Sequence, residues 1–387
     1  MRKLFVFALI GISINTSAQR YVRIHKKAIV ADTHNDILYK AVDSSLKIDS
    51  DLSSKTHSDL NRLQKGGIDV QIFSVWADSM HRFARANKLI DTLYAVVNRN
   101  QDKMQIIHSP SDLHSAIKQN KLAAMMGVEG GHMIDDKLEN IDSLYRRGVR
   151  YMTLTWNNST SWATSAMDET KKKDSILRGL NEFGKAVVKR MNQLGMMVDL
   201  SHVGERTFWD AINTSTKPVI VSHSDCHSLC PVFRNLKDEQ VKAVGKNGGV
   251  ICLNFYSGFL DSTYDKRRKA FTDKYKREAD SLKRLKWNED MIDHFFDGKY
   301  KTEKEALRPP LEILLDHLDH IVKLAGVDHV GLGSDFDGIS STPEGLDDVT
   351  SFPLITKALL KRGYSKKNVR KILGGNVLRV YLANDTK

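Results

Sequence analysis

The sequence predicts a single (β/α)8 TIM-like barrel, and three observations carry that prediction. Eight short apolar or β-branched runs recur along the 387 residues, and amphipathic stretches of helical period separate them. The turn after the first run, Asp32-Thr-His-Asn-Asp36, lacks the glycines that a doubly wound nucleotide-binding sheet uses to approach phosphate. Composition agrees. With 41% apolar and 27% charged residues but only 7 prolines and 24 glycines, collagen-like and largely disordered chains are excluded. Three cysteines cannot build a disulfide framework, so packing must hold the fold.

In chain order, the first element is an address label. Arg2 and Lys3 precede an apolar run from Leu4 to Ile14, followed by Asn15-Thr-Ser-Ala-Gln19. That is the layout of a secretory signal peptide, here residues 1–18, with cleavage expected after Ala18. The run is too short to span a bilayer. The expected mature chain, residues 19–387, is therefore exported (periplasmic or secreted), with no transmembrane segment. The expected strands are Ala28–Asp36, Ile68–Trp76, Leu122–Glu129, Tyr151–Trp156, Met196–His202, Pro218–His223, Gly249–Phe255 and His329–Asp335. Ser175–Leu194 and Leu311–Ala325 show the clearest helical repeats between them. Residues 256–310 break the rhythm between the seventh and eighth strands. Dense charge with spaced Leu, Phe and Trp reads there as a mostly helical insertion. No repeat or linker divides the rest, so one domain is expected.

The formal charge of +12 is spread among acids, as in Lys274-Tyr-Lys-Arg-Glu-Ala-Asp280. No basic stripe interleaved with aromatics appears, which argues against nucleic acid as a partner.

Chemistry in a barrel collects at the C-terminal ends of its strands, and five of the eight expected strands end in groups able to bind metal. These are His34 and Asp36, Glu129, His202, His223 and Asp335. Imidazole and carboxylate donors without thiolate suit zinc or a similar divalent ion. Six groups exceed the needs of one tetrahedral ion, whereas two ions sharing one carboxylate would use them. Water held between two cations loses a proton near neutral pH, and a free carboxylate nearby can shuttle it. His317 and His320 lie on the Leu311–Ala325 helix between Asp316 and Asp319, which reads as a solvated face, and His227 lies close enough to His223 to line the site. There is no G-x-S-x-G elbow to support a serine nucleophile.

Longer motifs narrow the reading. Asp32-Thr-His-Asn-Asp36, Val128-Glu-Gly-Gly131, Arg150-Tyr-Met-Thr-Leu-Thr155, Val198-Asp-Leu-Ser-His202, Val221-Ser-His-Ser224, Gly331-Leu-Gly-Ser-Asp-Phe-Asp-Gly338 and Leu373-Gly-Gly-Asn-Val-Leu-Arg379 together resemble the membrane dipeptidase family of zinc metallopeptidases. The resemblance runs from about Ile29 to Tyr381. It implies two Zn2+ per chain, one held by His34 and Asp36, the other by His202 and His223, with Glu129 bridging. It further implies that Asp335 handles the proton and that Arg234 binds the carboxylate of a dipeptide. Tyr256 and Trp156 would be substrate-binding positions. The implied reaction is hydrolysis of dipeptides, including those with a C-terminal D-residue, by hydroxide activated between the zincs, in a protein that can pair as a homodimer. Trp156 departs from the family, whose corresponding segment ends Leu-Thr-His. That departure and the insertion motivate an alternative, another amidohydrolase-like activity such as lactonase or deaminase on the same barrel.

Overall fold

The computed structural model describes residues 20–78, 82–172 and 179–386. The expected export signal lies outside the described residues. Among the described residues nine strands form: β1 Ala31–Asn35, β2 Val70–Val75, β3 Met104–Ile106, β4 Leu122–Glu129, β5 Val149–Thr153, β6 Met197–Asp199, β7 Ile220–Val221, β8 Val250–Leu253 and β9 Val330–Leu332. Eight of them pair in parallel in the order β1-β2-β4-β5-β6-β7-β8-β9. A bridge between Asn35 and Phe336 brings the last line back to the first. The result is the nearly closed (β/α)8 barrel that the strand–helix alternation predicts.

Each expected strand is present. Leu122–Glu129 forms over its whole expected span, and the hydrogen-bonded parts of the other seven are shorter than their apolar runs. Only Ile220 and Val221 of Pro218–His223 are strand, because the next two N–H groups donate to side chains, Ser222 to Asp199 and His223 to Ser201, instead of to a neighbouring strand. β3 went unforeseen, since three residues are too few to show a period. It pairs with the start of β4, Met104 opposite Leu122, along the edge that β5 occupies from Met126 onward. The helix expected from Ser175 begins at Glu182. Asn181 caps it by accepting a hydrogen bond from the Gly184 N–H, and Leu180 instead bridges to Ala163. Residues 175–178 of that expected helix lie outside the described residues.

Alternation along the strands creates two cores. Val70 and Ile72, Ala123 and Met125, Met197, Ile220, and Val250 and Cys252 pack together with Val377, Val380 and Tyr381. Those last three belong to the helix Asn376–Asn384, so hydrocarbon fills this part of the barrel. The opposite faces, such as Phe73, Val75, Met126 and Val128, pack in the larger core with Leu89 and Leu93 of the helix Arg82–Arg99. A ligand is thus left the rim at the strands' C-terminal ends.

Residues 256–310 contain four helices, Ser257–Leu260, Tyr264–Arg284, Glu289–Lys299 and Lys301–Glu305. They are held by packed rings, among them Tyr275 and Tyr300, whose centroids lie 3.7 Å apart. His317 corrects the solvated reading of its helix. It is fully buried, Nδ1 accepts from the Cys226 N–H at 3.0 Å, and Nε2 meets the Leu260 carbonyl at 3.0 Å. It ties the loop after β7 to the insertion. Asp316 and Asp319 meanwhile pair with Arg362.

Candidate metal centre

The rim residues expected from the sequence converge in space. Glu129 closes β4, His34 lies in β1 with Asp36 just beyond it, and His202, His223 and Asp335 follow β6, β7 and β9 by two or three residues. All are buried. Glu129 reaches two ways: Oε1 lies 2.9 Å from His202 Nε2 and 3.6 Å from His223 Nε2, while Oε2 lies 3.5 Å from His34 Nε2. His34 Nε2 is in turn 3.5 Å from Asp36 Oδ2 and 4.0 Å from Asp335 Oδ1. Three overlapping donor groups result, His34/Asp36/Glu129, Glu129/His202/His223 and His34/His223/Asp335, each with its ligand atoms within 4.8 Å of one another.

The surroundings turn each imidazole the same way. His34 Nδ1 lies 2.8 Å from the Tyr151 hydroxyl, which itself donates to the Thr33 carbonyl. His223 Nδ1 meets Ser222 Oγ at 2.8 Å, and Ser222 donates to Asp199. His202 Nδ1 faces Asn157 Oδ1 at 3.1 Å. Each Nδ1 thus has a partner among the surrounding groups, and each Nε2 is left facing the cluster. His202 Nε2 and His223 Nε2 face each other at 3.0 Å. Burial, reinforced by neighbouring cations, pushes both far from protonation: His202 is lowered to about 4 and His223 lies well below the usual range. Two neutral imidazoles with these nitrogens turned toward Glu129 and each other are suited to share a cation. His34 Nε2, buried, makes no hydrogen bond. The donor set therefore fits divalent ions of the zinc type.

Charge balance points the same way. Burial by itself would raise the Glu129 carboxyl, yet His34, His202 and His223 outweigh it and hold the group well below the usual carboxylate range. His34 is raised well above an ordinary imidazole against the opposing effect of burial, by Tyr151, Glu129 and Asp36. Burial lifts Asp335 to about 8, aided by Asp36 and Glu129 and opposed by His34 and by a 2.8 Å hydrogen bond from Asn254 Nδ2.

Geometry at the rim is held at some conformational cost. His202 (φ 63°) and Asp335 (φ 59°) sit in the left-handed region, which costs an L-residue about 1–2 kcal/mol each. Gly127 faces the Tyr151 ring so closely that any Cβ would overlap it. The missing side chain is what lets Tyr151 of β5 reach across to His34.

The remaining expected residues are less concentrated. Arg234 is 5% exposed, with Nη2 near the His223 carbonyl and Nη1 without a hydrogen bond. It lines, with His202 and His227, a cavity of about 410 Å³. Trp156 stands beside His202, ring centroids 6.4 Å apart. Tyr256 packs edge-on against Phe259 and Tyr264 of the insertion, and its N–H is held by Asn254. Trp162 is buried and donates to Asp136, away from the cluster. Sequence reasoning missed the supports: Tyr151, Asn254, Asp199 and Ser222. The usable signal was polar residues at inward-facing strand positions, where apolar ones would be ordinary. It also missed Asp225, fully buried and driven well above the usual carboxylate range by burial, with Arg234 as its main opposing charge.

Residues 18–386 match the family described as membrane dipeptidase (peptidase family M19). The chain is 33% identical over 386 residues to an uncharacterized dipeptidase of Schizosaccharomyces pombe, an alignment covering 94% of this chain and 82% of that one. Among solved structures it resembles a metallopeptidase of Rhodobacter sphaeroides liganded with a phosphinate mimic of the dipeptide L-Ala-D-Ala. That likeness has a TM-score of 0.75 at 24% identity and covers 93% of this chain and all of the other. The probable dipeptidase PvdM of Pseudomonas aeruginosa gives a TM-score of 0.75 at 22% identity, covering 96% and 98%. At such identities the two structures speak for the shared barrel. The family match spans nearly the whole chain, and this protein belongs to the membrane dipeptidase family of metallopeptidases.

Proposed function

We propose that this protein hydrolyses dipeptides with a free carboxylate, including those ending in a D-residue, using two zinc ions per chain. The observation that carries the reading is Glu129, whose two oxygens each serve a different donor group. His34, Asp36 and Glu129 would hold one ion, and Glu129, His202 and His223 the other. Bound there, divalent ions supply a water of lowered pKa and polarise the carbonyl under attack. Asp335 holds and moves the proton: Asn254 fixes its Oδ2, and Oδ1 faces His34. Its raised affinity for a proton suits transfer to a leaving amine. Arg234 pairs with the substrate carboxylate, for which a buried guanidinium with an unengaged N–H is suited. A D-residue is supported by the dipeptide mimic bound to the Rhodobacter sphaeroides neighbour. Export is supported by Arg2, Lys3 and the run Leu4–Ile14. Among the described residues no helix is long and apolar enough to cross a membrane.

The test is a panel of L,L- and L,D-dipeptides, their C-terminal amides, lactones and aminopurines, assayed before and after chelation. Free dipeptides should be turned over, lose turnover on chelation, regain it with Zn2+, and outpace their amides by roughly 10- to 100-fold in kcat/KM through Arg234. Turnover of lactones or aminopurines with none of dipeptides would overturn the proposal in favour of the alternative amidohydrolase chemistry.

A further inference from the structure

Three aromatic rings stand in one arc around the rim. Tyr39 follows β1, Trp76 follows β2, and Trp156 follows β5. Tyr39 and Trp76 meet edge-to-face at 4.7 Å, and Trp76 and Trp156 meet at 4.8 Å. All three are half-buried, unlike the fully buried aromatics Phe73 and Trp162, so the arc keeps a surface for something else. Trp156 stands beside His202, which places one end of the arc against the metal centre. The indole N–H of Trp76 is buried without a hydrogen bond. After β4 the chain continues as Gly130-Gly131, where a Cβ on Gly130 would overlap the His132 ring and come within 3.2 Å of Trp156 Cβ.

Barrel topology decides which part of a substrate meets this arc. In the order β1-β2-β4-β5-β6-β7-β8-β9, β2 lies four places from β7, directly across the mouth. Arg234 belongs to the loop that follows β7. A dipeptide with its carboxylate on Arg234 and its peptide bond at Glu129 must extend its first residue away from β7, toward β2. We propose that Tyr39, Trp76 and Trp156 form the face that receives the side chain of the dipeptide's amino-terminal residue, and that they select large apolar or aromatic side chains there. Flat, polarisable rings favour such groups over glycine or acidic residues. The inference rests on the dipeptidase reading with Arg234 as the carboxylate anchor.

The experiment is a comparison of kcat/KM for the series Phe-Gly, Leu-Gly, Ala-Gly and Gly-Gly on zinc-loaded full-length enzyme. The converse series Gly-Phe, Gly-Leu and Gly-Ala is run alongside. Phe-Gly should exceed Gly-Gly by roughly 10- to 100-fold, the value of burying one large side chain. In Trp156→Ala that ratio should fall about tenfold, while the ratio of Gly-Phe to Gly-Ala stays within about twofold. Tyr39→Leu, at the far end of the arc, gives a second and milder reading should Trp156→Ala unfold. A Phe-Gly to Gly-Gly ratio near one in the wild type overturns the proposal. So does a loss in Trp156→Ala that is equal for every peptide. If no dipeptide in either series is cleaved, the dipeptidase reading itself has failed, which is a different and recognisable result.

Discussion

Replacing Glu129 with Gln changes one oxygen to an amide and removes one charge at nearly constant volume. Glu129 Oε2 lies 3.5 Å from His34 Nε2. At that spacing, a unit positive charge gains about 5 kcal/mol from the carboxylate at an effective dielectric of about 20. Asp36 remains, and the site can relax, so half that figure is a fair measure of the loss for a bound cation. It corresponds to affinity weakened on the order of 10²-fold. The amide also carries its two protons to one side only. Either the pair His202 and His223 or His34 then faces a donor where it had an acceptor. One of the two donor groups should fail outright, and metal content should drop from the proposed two ions per chain to one or fewer. With the bridge gone, kcat/KM on a dipeptide should fall at least about 10³-fold. Metal analysis after gel filtration, dipeptide kinetics at added zinc, and thermal unfolding as a folding control make the assay. A folded Glu129→Gln protein that keeps two zincs and full turnover would refute the bridging role.

Other expectations follow from neighbouring contacts. Asp335→Asn should retain metal while kcat falls about 10²- to 10⁴-fold with KM little changed. A large rise in KM with kcat intact would show that Asp335 binds substrate rather than moving a proton. Tyr151→Phe keeps the ring that fills the space over Gly127 but removes the oxygen 2.8 Å from His34 Nδ1. A competing chelator should report zinc binding about 10- to 100-fold weaker, and unchanged affinity would remove Tyr151 from the support of His34. In the metal-free protein His34 is raised well above the usual range and Asp335 to about 8, so both hold protons at neutral pH. Cations accept only the deprotonated forms. Zinc binding should therefore release about one to two protons per chain at pH 7, and apparent affinity should rise with pH until those protons are gone. Calorimetry in two buffers of different ionisation heat measures this, and zero release would contradict the assignment.

The barrel and the residues that cluster at its rim were legible in the chain because both are written in local pattern. Apolar runs of strand length alternate with helical periods, and His34, Glu129, His202, His223 and Asp335 each stand at the end of such a run. Any barrel must deliver those ends to one rim. What lay beyond reach depended on the closing of the barrel. Tyr151 looks like a strand aromatic until Gly127, on the adjacent strand, is seen to clear its path. His317 looks solvated until the insertion covers it. The β3 strand exists only because the start of β4 offers a free edge to it. Tautomers and proton affinities likewise belong to no single residue, since they arise from burial and from charges placed within a few ångströms by strands far apart in sequence. Periodicity and residue chemistry thus settle where each side chain is carried. Which neighbours it meets, and therefore what its proton does, is decided only when non-local strands pair and exclude water.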